Sequence, residues 1–415
     1  MGLDTRVVIT GVGVIASNGN SAPEFWDALT NGRSGIDRIT HFDPSDYRCQ
    51  IGGEVKNFDP AEYFGSPKEA RGMDRFCHFA LKAADEAIDM AGISADELDP
   101  HRIGVLIGSG IGGLKTLEEE NEKLITKGPR RVSPMLIPKM IGDMSSGLVS
   151  IRHGFRGPNY TAVSACASGT HAIGEAWWTI KRGDADIMIT GGAEAALTPV
   201  GIAGFSSMRA MSTRNDDPKA ASRPFDADRD GFVMAEGSGV LVLESLESAL
   251  ARGADIIAEF IGYGATGDAS HITAPASDGS GAARAIEIAL KHAGISKDEV
   301  TYINAHGTST PLNDKFETLA IKSVFGDGAY KIPVSSTKSM TGHSLGTAGA
   351  WETIACALAV KNNVVPPTIN YTTPDPDCDL DYVPNEAREV EMNVALNINL
   401  GFGGHNATGL VKKFK

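Results

Sequence analysis

Three side chains in the sequence, one thiol and two imidazoles, could together carry out chemistry on a thioester. Cys166 lies in VSACASGTH, His306 in NAHGTST and His343 in KSMTGHSLGTAG. Each follows a strand-like apolar run and precedes glycine and other small residues, which predicts a turn at the end of a buried strand. A thiolate nucleophile with two N–H donors around a reacting carbonyl suits carbon–carbon bond formation on thioesters better than hydrolysis.

The surroundings of Cys166 predict a reactive thiol. Small residues flank it on both sides, and a helix is predicted directly after it. The unpaired N–H groups and the dipole of a helix N-terminus favour thiolate over thiol. A backbone N–H in the same turn would form half of an oxyanion hole. A buried, inert thiol is the common alternative for a free cysteine, and we assign that role to Cys49, Cys77, Cys356 and Cys378.

Charged residues near the two histidines are candidates for holding them in place. Lys338 lies five residues before His343, and Glu352 lies nine residues after it. Apolar or glycine-rich sequence flanks both, which predicts burial in place of a surface ion pair. Asp314 and Glu317 follow the other histidine loop. A cation among carboxylates could set the histidine tautomers and hold the loops together.

Composition indicates a globular protein of two domains or one duplicated domain. The chain has 415 residues, 42% of them hydrophobic, and a net charge of −14, which disfavours nucleic-acid binding. Five scattered cysteines do not form a disulfide pattern, and an N-terminus that enters a strand at once predicts a cytoplasmic protein without a signal peptide. Runs of 18 apolar residues, HExxH spacing and GxxxxGK[ST] are all lacking, so we expect no membrane span, metal site or phosphate loop.

Strand-like and helix-like segments alternate along the chain, as in layered α/β proteins. Several strands are apolar on both faces, which predicts helices on both sides of the sheet. The strand candidates are RVVITGVGV (6–14), RIGVLIGSG (102–110), ADIMITGGAE (185–194), GVLVLESL (239–246), IIAEFIGYGA (256–265), VTYINAHG (300–307), KIPVSSTK (331–338) and VALNINLGFGG (394–404). The helix candidates cover residues 77–92, 169–183, 279–294 and 347–362.

The order of segments in the first half of the chain recurs in the second. GISADELDPHRIGVLIGSG resembles GISKDEVTYINAHGTST, and VSACASGTHAIGEAWWTI resembles STKSMTGHSLGTAGAWETI. We therefore predict two halves, 1–253 and 254–415, with Cys166 and His343 at equivalent positions facing each other across a pseudo-twofold axis. Segments 108–160 and 204–231 lack counterparts, and we expect these insertions to carry pocket walls and interfaces.

The complete set of motifs resembles the elongating β-ketoacyl-acyl carrier protein synthases of the thiolase-like superfamily. The resemblance runs from VVITGVGV to GFGGHN and includes DRDGFVMAEGSGVLVLE (228–244) and the spacing of ACASG, AHGTST and TKSMTGHSLGTAGA. It implies a duplicated five-layered αβαβα fold and a decarboxylating Claisen condensation between acyl-enzyme and malonyl-carrier in fatty-acid elongation. It also implies an acyl carrier protein as partner, a homodimer, and no cofactor.

The resemblance assigns roles to individual residues. Cys166 is the acyl-accepting nucleophile, and His306 and His343 form the decarboxylation and condensation site. Lys338 and Glu352 support them, while Phe402 gates the site and supplies the second N–H of the oxyanion hole. The implied substrate-binding residues are Thr308, Thr310, Ile111 and Phe205, with Ile111 limiting the depth of the acyl pocket at the dimer interface. The implied carrier-docking residues, in three separate loops, are Lys68, Arg71, Arg130, Arg131 and Arg209.

The chain departs from the family pattern near its C-terminus. The family usually has a sequence like NSF before GFGG, whereas this chain has NINL, ending at Leu400, and His405 stands where many relatives have Thr. We expect neither departure to touch the catalytic residues.

Rival enzymes differ in identifiable residues. A thiolase needs a second catalytic cysteine near the C-terminus, and an initiating synthase has Asn in place of one histidine. A catalytically dead chain-length factor lacks the nucleophile. A ketosynthase of a type II polyketide or specialised lipid pathway shares all three catalytic residues and remains the alternative.

Overall fold

The computed structural model describes residues 4–415. The strands are β1 Val7–Ile15, β2 Asp37–Arg38, β3 Ile51–Gly52, β4 Ile103–Gly108, β5 Asn159–Tyr160, β6 Ile187–Glu194, β7 Gly237–Ser245, β8 Ala258–Gly267, β9 Val300–Asn304, β10 Val334–Ser335, β11 Val364–Val365, β12 Arg388–Glu389, β13 Val394–Gly401 and β14 His405–Lys412. The helices are α1 Ala22–Thr30, α2 Pro60–Tyr63, α3 Pro67–Arg71, α4 Arg75–Ala91, α5 Leu114–Lys127, α6 Leu136–Met140, α7 Met144–His153, α8 Ser168–Arg182, α9 Pro199–Ser207, α10 Leu246–Ala251, α11 Ser280–Ala293, α12 Pro311–Phe325, α13 Lys338–Thr341 and α14 Ala348–Asn362.

The main sheet is symmetrical about its centre. Its strand order is β10-β9-β13-β14-β8-β1-β7-β6-β4-β5. Outward from β1, the pairs β1–β7 and β7–β6 are antiparallel, and β6–β4 and β4–β5 are parallel. The pairs outward from β8 repeat this sequence of orientations. The two five-stranded halves meet through β1 and β8, where only Val8 and Ile9 have partners.

Helices cover both faces of each half-sheet. α8 and α14 contact each other and strands of both halves, so they form the central layer. α4 and α7 cover the outer face of the first half, and α11 and α12 cover that of the second. The core divides accordingly into one central and two outer apolar clusters. The predicted αβαβα layering is confirmed.

Close approach of helix to strand is the same in both halves. A Cβ on Gly13 of β1 would lie 2.0 Å from the carbonyl oxygen of Ala83 on α4, and a Cβ on Gly264 of β8 would lie 2.0 Å from that of Ala285 on α11. Only glycine permits this contact, so the glycines in VVITGVGV and FIGYGA set the spacing of the outer layers.

The pseudo-twofold axis relates different residues from those predicted. Ala165 (φ 51°) and Leu345 (φ 49°) hold the same left-handed conformation just before the central 15-residue helices α8 and α14. This alignment makes Gly346 the counterpart of Cys166. The prediction that His343 is that counterpart is wrong, because the similarity of the small-residue motifs is offset by three residues from the backbone equivalence.

The predicted core elements are present, with changes at their ends. Segment 331–338, predicted as a strand, pairs only at Val334–Ser335, and α13 begins at Lys338. Insertion 108–160 contains α5, α6 and α7. The domain boundary at residue 253 stays a prediction. Within residues 4–415, no helix is both long and apolar enough to cross a membrane.

Candidate active site

The nucleophile turn and the β13–β14 turn meet at the sulfur of Cys166. Cys166 lies in a 3-10 turn, Ala165–Ala167, directly before α8, and it is 7% exposed. A Cβ on Gly401 would lie 2.5 Å from the carbonyl oxygen of Ser164, so glycine is needed where the end of β13 meets this turn. The backbone N–H groups of Phe402 and Cys166 lower the pKa of the thiol, against the effect of its burial. Their role as an oxyanion hole stays a prediction.

The structure brings the two histidines to the thiol. His343 enters from the loop between α13 and α14, and its Nε2 lies 3.0 Å from Cys166 Sγ. The ring of His306, from the loop after β9, is perpendicular to that of His343 with centroids 5.3 Å apart. Both imidazoles are buried. Three residues that are distant along the chain therefore surround one point.

Burial determines the protonation states of Cys166, His306 and His343. It raises the pKa of the Cys166 thiol to about 12, against opposing contributions from Lys338 and from the N–H of Phe402. Burial, together with the charge of Lys338, lowers the pKa of His306 and His343 well below the usual value. Both imidazoles are therefore neutral near pH 7. The sequence predicts that the helix terminus favours the thiolate. In the protein without an acyl group on Cys166, the effect of burial on the thiol pKa is larger and favours the thiol.

We expect alkylation of Cys166 by iodoacetamide to accelerate with pH throughout the range from about pH 6 to about pH 9. Only the thiolate reacts, and a thiol pKa of about 12 makes its population rise about tenfold per pH unit over that whole range. Mass spectrometry of the Cys166 peptide at timed intervals measures the rate. A plateau near neutral pH would contradict this expectation, because it would place the thiol pKa there.

Lys338 and Glu352 form a buried ion pair near the two histidines. Lys338 Nζ donates to Glu352 Oε1, and both side chains are 2% exposed. Neither residue lines the cavity that contains the thiol. Their predicted burial is therefore confirmed, and their role in supporting the site stays a prediction.

Breaking this pair from one side is expected to destabilise the fold. Lys338→Met leaves an uncompensated buried carboxylate, which should lower the free energy of unfolding by about 3–5 kcal/mol. The double variant Lys338→Met/Glu352→Gln should recover most of that loss, because it removes both charges. Urea unfolding followed by circular dichroism compares the variants. Equal stability of the single variant and the wild type would show that the pair is not buried in solution.

The carboxylates after the His306 loop hold its backbone. Glu317 Oε1 accepts from the His306 N–H at 2.6 Å, and its Oε2 accepts from the Gly307 N–H at 2.8 Å. Burial raises the pKa of Glu317 to about 8. Asp314 Oδ2 accepts from the N–H of Phe225 and lies 3.6 Å from Arg229 Nε. These contacts hold the loop together, as we expected. Among residues 4–415 neither carboxylate makes a hydrogen bond to the ring of His306, whose tautomer we also expected them to set.

One polar residue at this site was missed in the sequence. Asn399 of β13 is buried, donates to Glu352 Oε2 at 2.7 Å, and has its amide nitrogen 3.5 Å from His306 Nδ1. The expectation that the NINL departure does not touch the catalytic residues is therefore wrong. The signal was available: Asn397 and Asn399 alternate with apolar residues in a buried strand, which places both amides on one face.

A cavity of about 400 Å³ opens onto the thiol. Cys166, His306, His343 and Phe402 line it. Other predicted residues in its wall are Thr308, Thr310, Phe205 and Arg209. The Phe402 ring is half-buried and lies 6.3 Å from the ring of Phe205. Phe205 and Met208 come from insertion 204–231, which thus forms a wall of the cavity.

The remaining predicted residues lie outside this cavity. Ile111, in the loop after β4, is 41% exposed and donates its N–H to Glu194 Oε1 at 3.2 Å. The basic residues Lys68, Arg71, Arg130 and Arg131 also lie outside the cavity and are exposed, and Arg209, in the cavity wall, is exposed as well. The first two lie on the short helix α3 and the next two in a 3-10 turn, where we had expected loops.

The duplicated fold and its buried thiol–imidazole site define a thiolase-like condensing enzyme of the acyltransferase class. The model for the beta-ketoacyl synthase N-terminal domain matches residues 4–249, and the model for the C-terminal domain matches residues 257–372. The chain belongs to the beta-ketoacyl synthase family. The resemblance found in its motifs is confirmed.

Relatives match over the full length. The chain is 56% identical to 3-oxoacyl-[acyl-carrier-protein] synthase 2 of Synechocystis, over 99% of this chain and 98% of that one. It is 54% identical to the protein of the same name in Staphylococcus aureus, over all of both chains. A type II polyketide ketosynthase, solved with its acyl carrier protein and bound to a hexaketide, has a TM-score of 0.92 and 38% identity over 99% of this chain and 100% of that one.

Proposed function

We propose that this protein condenses an acyl-enzyme with malonyl-acyl carrier protein, with loss of CO2, to give β-ketoacyl-acyl carrier protein in fatty-acid elongation. The observation that carries this proposal is one buried thiol beside two buried, neutral imidazoles in the wall of a single cavity, with two backbone N–H groups that lower the pKa of the thiol. The names of the relatives at 54–56% identity favour fatty-acid elongation over a polyketide pathway, whose ketosynthase is 38% identical.

In the first step, Cys166 accepts the acyl group. Its thiolate attacks the carrier thioester, and the carrier leaves as a thiol, so the proton lost by one sulfur matches the one gained by the other. The N–H groups of Phe402 and Cys166 hold the tetrahedral oxyanion. His343 Nδ1 is buried without a hydrogen-bond partner among residues 4–415. A buried unpaired N–H is costly, so the ring proton lies on Nε2, facing the sulfur.

In the second step, malonyl-carrier loses CO2. The negative charge that develops on the thioester oxygen as an enolate is stabilised by N–H donors on His306 and His343, which burial keeps neutral. The enolate carbon then attacks the carbonyl carbon of acyl-Cys166, and the same N–H groups hold the tetrahedral oxyanion. Its collapse breaks the bond to sulfur, releases β-ketoacyl-carrier and leaves Cys166 as a thiolate. Loss of CO2 drives the condensation, so the proposed reaction uses no metal or redox cofactor.

The proposed partner is an acyl carrier protein, and the proposed assembly is a homodimer. Thr308 and Thr310, whose hydroxyl oxygens are 2.9 Å apart in the cavity wall, would hold the pantetheine arm. Ile111, exposed in the single chain, would limit the acyl pocket where two copies meet. The five cysteines are free and buried, which suits a reducing cytoplasm.

Reversing the basic charges is expected to weaken carrier docking without harming the chemistry. Arg130→Glu/Arg131→Glu should raise the KM for malonyl-carrier about tenfold at low salt, and less at high salt. The KM for a small pantetheine thioester should not change. Arg284→Glu, an exposed position on α11, is the matched control. An equal effect of both variants would contradict docking at this surface.

Mass spectrometry of the intact protein after incubation with acyl-carriers of graded chain length tests the proposed function. We expect an acyl adduct on Cys166 for straight-chain acyl groups, released as β-ketoacyl-carrier when malonyl-carrier is added. Adducts that hydrolyse and never condense would overturn the proposal. Repeated condensation to a poly-β-ketone on one carrier would favour the polyketide alternative.

A further inference from the structure

We propose that Asn399 is the positioning residue that sets the tautomer of His306 and links that ring to the Lys338–Glu352 pair. This inference rests on the proposed role of His306 as an N–H donor. It concerns a residue that stands where the family pattern differs, in the NINL segment of β13.

The amide of Asn399 has a single possible orientation. Its Oδ1 accepts from the hydroxyl of Thr170 on α8, and its Nδ2 donates to Glu352 Oε2 at 2.7 Å. Glu352 carries the ammonium of Lys338 on its other oxygen, so it acts as a carboxylate that can only accept. Flipping the amide would set its oxygen against that carboxylate, and the side chain is buried without access to solvent.

The second N–H of this amide faces His306. Asn399 Nδ2 lies 3.5 Å from His306 Nδ1. The separation is long for a hydrogen bond, but a proton on Nδ1 would place two donors against each other in a buried space. The ring proton therefore lies on Nε2. Because His306 lines the cavity, that nitrogen is left to donate to substrate.

The same amide connects the two central helices to the ring. Thr170 lies on the helix that follows the nucleophile, and Glu352 lies on its counterpart α14. Asn399 thus joins both helices and the edge of the His306 ring through one side chain. A movement of the Lys338–Glu352 pair would therefore move the amide of Asn399, and with it the donor that faces His306 Nδ1.

Asn397 provides a matched control. It is also fully buried and lies two residues earlier on the same face of β13. Its amide nitrogen donates to the carbonyl oxygen of Gly349 at 3.1 Å and to Thr353 Oγ1 at 3.0 Å. Among the contacts of residues 4–415 it has none with His306 or Glu352. The same substitution at the two positions therefore separates the proposed role from loss of a buried amide.

The test uses the intact enzyme, with ¹⁵N-labelled histidine, as wild type and as the variants Asn399→Asp, Asn399→Ser, Asn397→Asp and Asn397→Ser. ¹⁵N NMR reports the tautomer of His306, whose signals are assigned by their loss in His306→Ala. Decarboxylation of malonyl-carrier and acylation of Cys166 are measured separately. Thermal unfolding confirms that each variant is folded.

We expect the wild type and both Asn397 variants to hold the Nε2–H tautomer. Asn399→Asp replaces the donor facing Nδ1 by an acceptor, so it should favour Nδ1–H and slow decarboxylation about a hundredfold, with a smaller effect on acylation. Asn399→Ser should give mixed tautomers and about a tenfold loss of decarboxylation. Asn399→Ser also preserves the test if Asn399→Asp does not fold.

An unchanged His306 tautomer in a folded Asn399 variant would overturn the proposal, as would equal losses of decarboxylation in the Asn399 and Asn397 series. A different result would contradict the proposed function. If wild-type enzyme neither decarboxylates malonyl-carrier nor forms acyl-Cys166, that function is wrong, whereas the NMR comparison still decides whether Asn399 sets the tautomer.

Discussion

Replacing Cys166 by alanine is expected to lower condensation by at least about a thousandfold while malonyl-carrier decarboxylation stays measurable. Condensation needs the acyl group on sulfur, whereas decarboxylation needs only the N–H donors of His306 and His343, which the substitution leaves in place. Release of labelled CO2 and formation of β-ketoacyl-carrier, followed in the same reaction, measure the two steps independently.

Cys77→Ala is the matched control for this experiment. Cys77 lies on α4 in the outer apolar cluster of the first half and is as fully buried as the nucleophile. We expect it to lower stability slightly and to retain condensation. Unimpaired condensation by Cys166→Ala would contradict the proposed mechanism, because no other thiol lines the cavity within the part of the chain that the structure describes.

His306→Ala is expected to slow decarboxylation by about 10²–10³-fold, the usual cost of removing one donor from a preorganised anion site. Acylation of Cys166 should change much less, because among the hydrogen bonds of residues 4–415 the sulfur of Cys166 contacts the ring of His343 and not that of His306.

His343→Ala should behave differently and slow both steps. Its Nε2 is 3.0 Å from the sulfur, so it supports the thiolate as well as the enolate. The sequence predicts the same behaviour for both histidines: each substitution should impair decarboxylation more than acyl transfer to Cys166. The structure predicts different behaviour, because His343 contacts the sulfur. Rapid-quench measurement of acyl-enzyme formation with each variant distinguishes the two patterns. Equal effects of both substitutions on acylation would contradict this division of roles.

The chemistry of the site was predictable because it depends on residue types at turns. Cys166 among small residues before a helix, and two histidines in glycine-rich turns, identified the reacting groups without knowledge of their distances. Alternation of strands and helices with apolar faces predicted the layers, since burial on both sides of a sheet leaves a pattern in the sequence. The recurrence of segment order likewise predicted a duplicated fold.

The register of the duplication depended on tertiary structure. Gly346, and not His343, is the counterpart of Cys166, because equivalence is set by the left-handed residues Ala165 and Leu345 at the two helix starts. Backbone conformation of this kind in alanine or leucine leaves no mark in composition, because neither residue type favours it. Motif similarity alone therefore gave the wrong alignment.

The sequence by itself determined which groups react, since a nucleophile and its donors are defined by side-chain chemistry and the turns that present them. Tertiary structure decided the protonation states of these groups and which residues contact them. Burial raises the pKa of Cys166 to about 12 against the helix terminus that favours the thiolate, and desolvation depends on everything packed around an atom. Asn399 lies beside Glu352 and His306 because the fold packs β13 against α14 and the loop after β9. No spacing along the chain encodes that contact.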